Sequence, residues 1–242
     1  MPGFFFLIFF GIVIIAIFGG LFASRKAAQR QEAMLELGSQ LGWSFDASKD
    51  YDHDERFRQF GIFTTGSSRY AYNTLHGSID VNGDSWPAQM GDYHYTTTSG
   101  SGKNRRTTTH NLSYVLVHTP YAAAPMLRIR KEHMFDRMAS FMGFDDIDFE
   151  SAEFSDKFHV KSEDKRFAYD VIHPRMMEFL LDGNPPTTHL EGGVCCIHSK
   201  GKRWLPEEFA TQISWLAEFF QQWPHHVNSR LGIRGEDLGA RS

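Results

Sequence analysis

The fold is decided by residues 69–98, RYAYNTLHGSIDVNGDSWPAQMGDYHYTTT, in which two extended segments flank Asn82-Gly83. Asn-Gly is the dipeptide most favoured in the two-residue type I′ turn of a β-hairpin. The connections to the neighbouring extended segments are too short for a crossover helix, so we expect an antiparallel meander. The predicted strands are residues 60–65, 69–81, 86–98, 107–119 and 125–131.

A second group of elements follows the meander. Residues 147–160 alternate apolar and polar side chains in part and are predicted to be extended, and residues 188–204 predict a hairpin that turns at Gly192-Gly193. Helical patterns cover residues 133–143, 173–183 and 206–223, the last two opened by Pro174 and Pro206. The alternating strands need an apolar layer on one side. We therefore predict an α+β fold, an antiparallel sheet of meander plus hairpin packed mainly on one face by these helices.

The N-terminal region is strongly apolar. Residues 4–23, FFFLIFFGIVIIAIFGGLFA, contain no charged residue, and a helix of that length spans about 30 Å, the thickness of a bilayer's hydrocarbon core. A cleaved signal peptide would have a basic N-terminal region and a shorter apolar stretch, whereas residues 1–3 are Met-Pro-Gly. We expect an uncleaved transmembrane helix over 4–23 with a short extracytoplasmic N-terminus. A signal peptide and a buried helix of a soluble fold are the alternatives.

Charges next to this stretch predict its orientation. Arg25, Lys26 and Arg30 follow it directly, while no basic side chain precedes it. Because basic residues beside a span tend to stay in the cytoplasm, we expect a single-pass protein of the inner (plasma) membrane with a cytoplasmic C-terminal domain. The alternative is that three charges are too few to set the topology.

The remaining chain divides into three parts. Residues 24–43 are rich in good helix formers, with Met34, Leu37 and Leu41 at helical spacing, and predict a helical stalk. Residues 44–224 are expected to form the α+β domain, and residues 225–242, which lack a strong pattern, a flexible tail that frays from Pro224. The sequence predicts that residues 44–224 fold and stay soluble without the anchor and the stalk.

Motifs that carry chemistry are missing from the sequence. Twelve histidines are scattered singly except for His225-His226, and the chain has no zinc-ligand spacing, Walker loop or nucleophile elbow. The best-placed pair is His94 and His110, which the β-hairpin would bring opposite each other, whereas a one-residue register shift would pair His94 with Asn111 and separate the two imidazoles. The sequence therefore predicts no metal site and no cofactor, and it leaves the catalytic residues unassigned.

Three other features of the sequence contain residue types that occur in binding sites. The six carboxylates of residues 145–156 do not match a calcium loop, because Ser151 stands where glycine is required. Cys195-Cys196 is poorly placed for a disulfide and indicates two reduced thiols in a strand. The loop SGSGKNRR (99–106) is typical of a hairpin end, with contact to phosphate or anionic headgroups as the alternative.

One stretch resembles a known group of proteins. The segment FESAEFSDKFHVKSEDKRFAYDVIHPRMMEFLLD (149–182), together with LGWSF (41–45), is similar to a family of bacterial single-pass membrane-anchored proteins with no assigned activity. The resemblance implies a bacterial source, one N-terminal span, a strand-rich middle and a C-terminal helix. It implies no ligand and no catalytic residue.

These observations favour one function class over another. The net charge of −4 and the pI of about 6.3 argue against a nucleic-acid partner. The apolar stretch predicts contact with the lipid bilayer through residues 4–23, and a membrane or cytoplasmic protein is the expected further partner. We expect a non-catalytic binding or scaffolding module at the cytoplasmic membrane face. The alternative is a membrane-tethered enzyme whose site combines dispersed His, Asp and Tyr residues.

Overall fold

The computed structural model describes residues 2–131, 146–199 and 201–231, with side chains described except at residues 2–20, 23 and 103. The predicted helix 133–143 and the end of the predicted tail, residues 232–242, lie outside the described residues. Within the described part of the chain, none of the helices has the length and apolar character needed to cross a membrane. The span expected at 4–23 therefore stays a prediction.

The described residues form an α+β fold. The helices are α1 (Pro2–Leu41), α2 (His53–Arg56), α3 (Gly61–Thr64), α4 (Ala152–Lys157), α5 (Lys165–Val171), α6 (Pro174–Asp182), α7 (Pro206–Gln221) and α8 (His225–Arg230). The strands are β1 (Ser44–Asp46), β2 (Ser67–Val81), β3 (Asp84–Ser99), β4 (Arg106–His118), β5 (Leu127–Lys131), β6 (Phe158–Ser162), β7 (Thr187–Glu191) and β8 (Val194–His198).

The eight strands make one antiparallel sheet in the order β1-β2-β3-β4-β8-β7-β5-β6. The predicted meander is confirmed from β2 to β4, and both predicted turns are present, with positive φ at Asn82, Gly83, Gly192 and Gly193. The position of β5 differs from the prediction, because the β7–β8 hairpin lies between β4 and β5. After β4 the chain runs alongside the β7–β8 hairpin. There the Thr119 N–H donates to the Gly193 carbonyl at 2.8 Å.

Three local predictions are wrong. The predicted strand at 60–65 is helix α3, because Phe60 and Phe63, three residues apart, point together into the sheet and not to alternate sides. The predicted extended segment 147–160 contains helix α4, whose first turn is capped by Ser151. The predicted fraying from Pro224 is absent at residues 225–230, which form α8 and bury Val227 completely.

Each face of the sheet carries its own apolar cluster. The larger cluster joins inward residues of the strands, such as Leu75 and Val115, to helices α5, α6 and α7. The smaller cluster, on the opposite face, packs Phe57, Phe60 and Phe63 of the α2–α3 segment on the sheet. The sheet is therefore covered on one face by α5, α6 and α7, of which α6 and α7 were predicted, and on part of the other face by the α2–α3 segment, whose residues 60–65 were predicted as a strand.

Helix α1 is continuous from the apolar stretch to the sheet. At its C-terminal end, Met34 is fully buried and Leu37 is 6% exposed within the larger cluster. Gly38 fits against Leu75, where an added Cβ would lie 2.5 Å from the leucine Cδ2. The last two turns of α1 therefore belong to the hydrophobic core.

Candidate functional site

The two histidines that the sequence singled out do not meet. In the β3–β4 ladder His94 pairs with Asn111, and His110 pairs with Tyr95. Because side chains alternate along a strand, the two imidazoles lie on opposite faces of the sheet. His94 Nδ1 lies 3.1 Å from Asn111 Oδ1, and His110 Nε2 lies 2.8 Å from Thr97 Oγ1. The alternative register is therefore confirmed, and it separates the best candidate ligands.

The three predicted membrane-flanking residues have different environments. Arg25 and Lys26 are exposed on α1, and the Lys26 ammonium lies 5.8 Å from the centroid of the Phe22 ring. The Arg30 side chain is only 10% exposed and points into the sheet. Two of the three cations are therefore accessible next to the apolar stretch, and the third binds the domain.

Arg30 makes a two-pronged ion pair with Asp92 on β3. Its Nε and Nη2 atoms lie 3.0 and 2.9 Å from the two carboxylate oxygens. The Asp92 side chain is fully buried. The parallel geometry of a guanidinium on a carboxylate gives a strong and directional contact. The pair fixes α1 to the centre of the sheet at a defined angle.

Neighbouring strands complete the coordination of the Asp92 carboxylate. Asn73 Nδ2 donates to Oδ2 at 3.2 Å, and Ser113 Oγ donates to Oδ1 at 2.8 Å. The register of β2 shifts between Tyr72 and Leu75, and Asn73 at this bulge has a φ of +51°. Bulges commonly redirect a side chain, and this one directs the Asn73 amide to the carboxylate.

The network extends to the loop before α7. Ser113 Oγ accepts from Trp204 N–H at 3.0 Å, while Ser199 Oγ accepts from Ser113 N–H at 2.8 Å. Arg203 places a second guanidinium 3.8 Å from Asp92 Oδ2. The pair Arg30–Asp92 thus joins α1, three strands and the loop before α7. We call these residues the junction network.

The hydrogen bonds that the Asp92 carboxylate already accepts limit the chemistry of the junction network. A carboxylate has about four lone-pair positions, and here four donors from Arg30, Asn73 and Ser113 occupy them. Asp92 is therefore not available to take a proton from a substrate. Beside it, burial raises the pKa of Tyr72 to about 12, and the Asp92 charge adds to that effect, so the phenol stays protonated. The junction network is a structural connection with no free acid or base.

A second buried polar group lies on the opposite face of the sheet. His53 of α2 is 1% exposed and is surrounded by the rings of Phe57, Phe63, Tyr93 and Tyr114, with centroid distances of 4.5–5.6 Å. Its Nδ1 lies 3.7 Å from Asp50 Oδ2. Burial lowers the pKa of His53 from 6.5 to about 4, although Asp50 opposes the shift. The imidazole is therefore neutral at neutral pH.

This environment predicts a pH-dependent stability. The pKa of His53 is about 4 in the fold and 6.5 when exposed, so the unfolded chain binds more protons between these values. Stability contributed by the neutral imidazole is present above about pH 6.5 and is lost as pH falls towards about 4, by about 3 kcal/mol in total. Denaturant titrations at a series of pH values measure this loss.

The matched variant for this prediction is His53→Leu, which fills the aromatic site without a titrating group. Burial also lowers the pKa of His189, so His189 changes the stability with pH in the same direction. The contribution of His53 is therefore the difference in pH slope between the two proteins. Equal pH slopes of the free energy of unfolding in the two proteins would contradict the assignment of the effect to His53.

An open groove lies between α4, α5 and α6. Its volume is about 610 Å³, and its lining includes five apolar or aromatic residues, Phe149, Tyr169, Ile172, Met177 and Leu181. Three exposed carboxylates, Glu150, Glu153 and Glu178, also line it, and of these Glu153 is paired with Lys157 at 2.7 Å. Tyr169 is 49% exposed, and its ring centroid lies 5.2 Å from that of Phe149. We call this feature the acidic groove.

The described residues contain neither an assembled metal site nor a reactive thiol. There, no three His, Cys, Asp or Glu side chains approach closely enough to hold a metal ion. Cys195 and Cys196 are free, as the sequence indicated, and both are buried on β8. Burial raises the pKa of both thiols, which keeps them protonated and unreactive.

Comparison with known proteins supports the fold. No family model and no curated protein match the sequence. Among solved structures, the crystal structure of the mycobacterial trehalose monomycolate transport factor A, TtfA, matches 83% of this chain and 97% of its own, with a TM-score of 0.56 and 11% sequence identity. At this identity the similarity concerns the fold alone.

Proposed function

We propose that the chain is a non-catalytic binding module held at the cytoplasmic face of the inner membrane by a span at residues 4–23. The observation that carries the proposal is the path of α1, which runs without a break from the apolar stretch into the core of the domain. The bidentate Arg30–Asp92 pair fixes the helix there. A tether alone would need no buried ion pair, so the attachment holds the domain in one orientation.

The acidic groove is the proposed binding surface. A lining of apolar side chains with a few charged ones is the usual composition of a recognition site. The carboxylates favour a basic amphipathic segment of a partner protein, whose apolar side would cover Tyr169 and Met177. TtfA, which shares the fold, is a trehalose monomycolate transport factor. This role of TtfA motivates the further proposal that the partner belongs to a transport system in the same membrane.

The enzyme alternative is less well supported by the described residues. The Asp92 carboxylate is saturated, His94 and His110 face apart, and His53 is enclosed by rings. In the acidic groove, His173 accepts from Met176 N–H and its Nε2 lies 2.9 Å from the Gln222 carbonyl. No general base with open geometry is therefore assembled in these places.

The membrane topology is tested with reporter fusions after Ser242. Alkaline phosphatase is active only outside the cytoplasm, and green fluorescent protein fluoresces well only inside it. We expect fluorescent membranes without phosphatase activity, and deletion of residues 4–23 should release the protein from the membrane fraction. Strong phosphatase activity would reverse the orientation, and a deletion variant retained on membranes would contradict the anchor.

The acidic groove is tested by photo-crosslinking in cells, with the photoreactive residue placed at Met177. We expect one discrete product that is lost when the rim is reversed by Glu150→Lys and Glu178→Lys. The matched control carries the same photoreactive residue at Arg58, an exposed position on the other face of the sheet. The same product from both positions, or one that survives the rim variant, would exclude the acidic groove as the contact.

A further inference from the structure

The hairpin end between β3 and β4 is a local basic region in an acidic chain. The sequence has no Asp or Glu between Asp92 and Glu132, while the hairpin end contains Lys103, Arg105 and Arg106. The described side chains of residues 98–109 are exposed. The whole chain carries a net charge of −4, so this accumulation of cations does not follow from the average composition.

The contacts of α1 show in which direction this hairpin extends. Gly38 lies on Leu75, which pairs with Met90 on β3, while Arg30 reaches Asp92, two residues further along β3. From Gly38 to Arg30, the contacts of α1 therefore move one strand across the sheet and two residues along β3, in the direction of Ser99. The N-terminal part of α1 runs towards the same end of the sheet as the hairpin.

The hairpin is long enough to reach the level where the apolar stretch ends. From Asp92 to Ser99 the strand rises about 23 Å. From Arg30 to Ala23 the helix rises only about 10 Å. The hairpin is therefore long enough to bring its basic end to the level of Arg25 and Lys26, where a membrane's headgroup layer would be.

We infer that the β3–β4 hairpin end is a second membrane contact, which binds the headgroups of anionic phospholipids through Arg105 and Arg106. The inference rests on the proposed span at residues 4–23. Each basic side chain at an acidic surface multiplies the bound population by about fivefold, an effect that salt screens. With the helix as one attachment and the hairpin as the other, the domain cannot rotate about α1, and the acidic groove has a fixed orientation to the bilayer.

The test uses the full chain reconstituted into vesicles of phosphatidylcholine alone or mixed with phosphatidylglycerol. Ser101→Cys places an environment-sensitive fluorophore at the hairpin end, since Cys195 and Cys196 are buried and unreactive. Lipids with spin-labelled headgroups then quench the probe if it touches the headgroup layer. We expect strong quenching in the anionic vesicles, weak quenching in phosphatidylcholine, and loss of the difference at high salt.

Two charge variants decide the result. Arg105→Glu with Arg106→Glu should reduce quenching in anionic vesicles to the phosphatidylcholine level, whereas Lys165→Glu with Arg166→Glu, an equal charge change on exposed positions of α5, should leave it unchanged. Equal quenching in both lipids, or equal quenching with and without Arg105 and Arg106, would overturn the hairpin contact alone. Protein that fails to float with either vesicle would overturn the proposed anchor itself.

Discussion

Arg30→Met is expected to destabilise the domain by about 3–5 kcal/mol, because it leaves the Asp92 carboxylate buried without its main partner. Asp92 is fully buried, and Arg30 supplies two of the four hydrogen bonds that it accepts. Asn73 and Ser113 remain, but neutral donors do not compensate a desolvated charge, and the partly exposed Arg203, 3.8 Å from Oδ2, does so only in part. Methionine keeps most of the apolar stem of the arginine, so the loss reports mainly the charge and its two hydrogen bonds. Urea unfolding of the full chain in detergent micelles measures it.

Two further variants isolate the charge pair. Arg25→Met changes an exposed cation on the same helix and should alter the free energy of unfolding by less than about 0.5 kcal/mol. Adding Asp92→Asn to Arg30→Met removes the uncompensated charge while keeping an acceptor for Asn73 and Ser113, and it should restore much of the lost stability. If the double variant loses as much free energy of unfolding as the two single variants lose together, packing and not the charge causes the effect.

Local signals in the sequence predicted the sheet well. The Asn82-Gly83 and Gly192-Gly193 turns and the Pro174 and Pro206 helix starts each depend on the conformation of a few neighbouring residues, and all are present. Residues 60–65 were misassigned because six apolar and polar residues fit a short strand and a single helical turn equally well. Only the contact of Phe60 and Phe63 with the sheet, a long-range interaction, decides between them.

The junction network was missed because its partners are far apart in the chain. Arg30 and Asp92 are separated by 62 positions, and basic residues after an apolar stretch are usually interpreted as membrane-flanking charges. One signal was present in the strand pattern: Asp92 follows Trp86, Ala88 and Met90 at the inward positions of β3. A lone carboxylate at an inward position requires a buried partner. The sequence alone does not identify that partner.

The same packing changes the expected behaviour of a truncated protein. We expect a fragment of residues 44–231 to lack a cooperative thermal transition, contrary to the sequence-based prediction that residues 44–224 fold alone. Removing the stalk takes Met34 and Leu37 out of the larger cluster. The burial of each side chain contributes about 1.5–3 kcal/mol to the stability. Removing the stalk also leaves Asp92 without Arg30, at a cost of about 3–5 kcal/mol. The combined loss is comparable to the whole stability of a typical domain, about 5–15 kcal/mol.

A fragment that starts at Arg25 is the matched comparison, because it lacks the apolar stretch but keeps Arg30, Met34 and Leu37. Ending both fragments at Leu231 retains α8, whose Val227 is buried in the core. We expect the fragment of residues 25–231 to unfold cooperatively on heating and the fragment of residues 44–231 to aggregate or melt without a transition. If both fragments unfold cooperatively at similar temperatures, the end of α1 is a dispensable linker. If only the longer fragment does so, the helix that leaves the membrane is part of the fold, and any motion of the anchor is transmitted directly to the sheet.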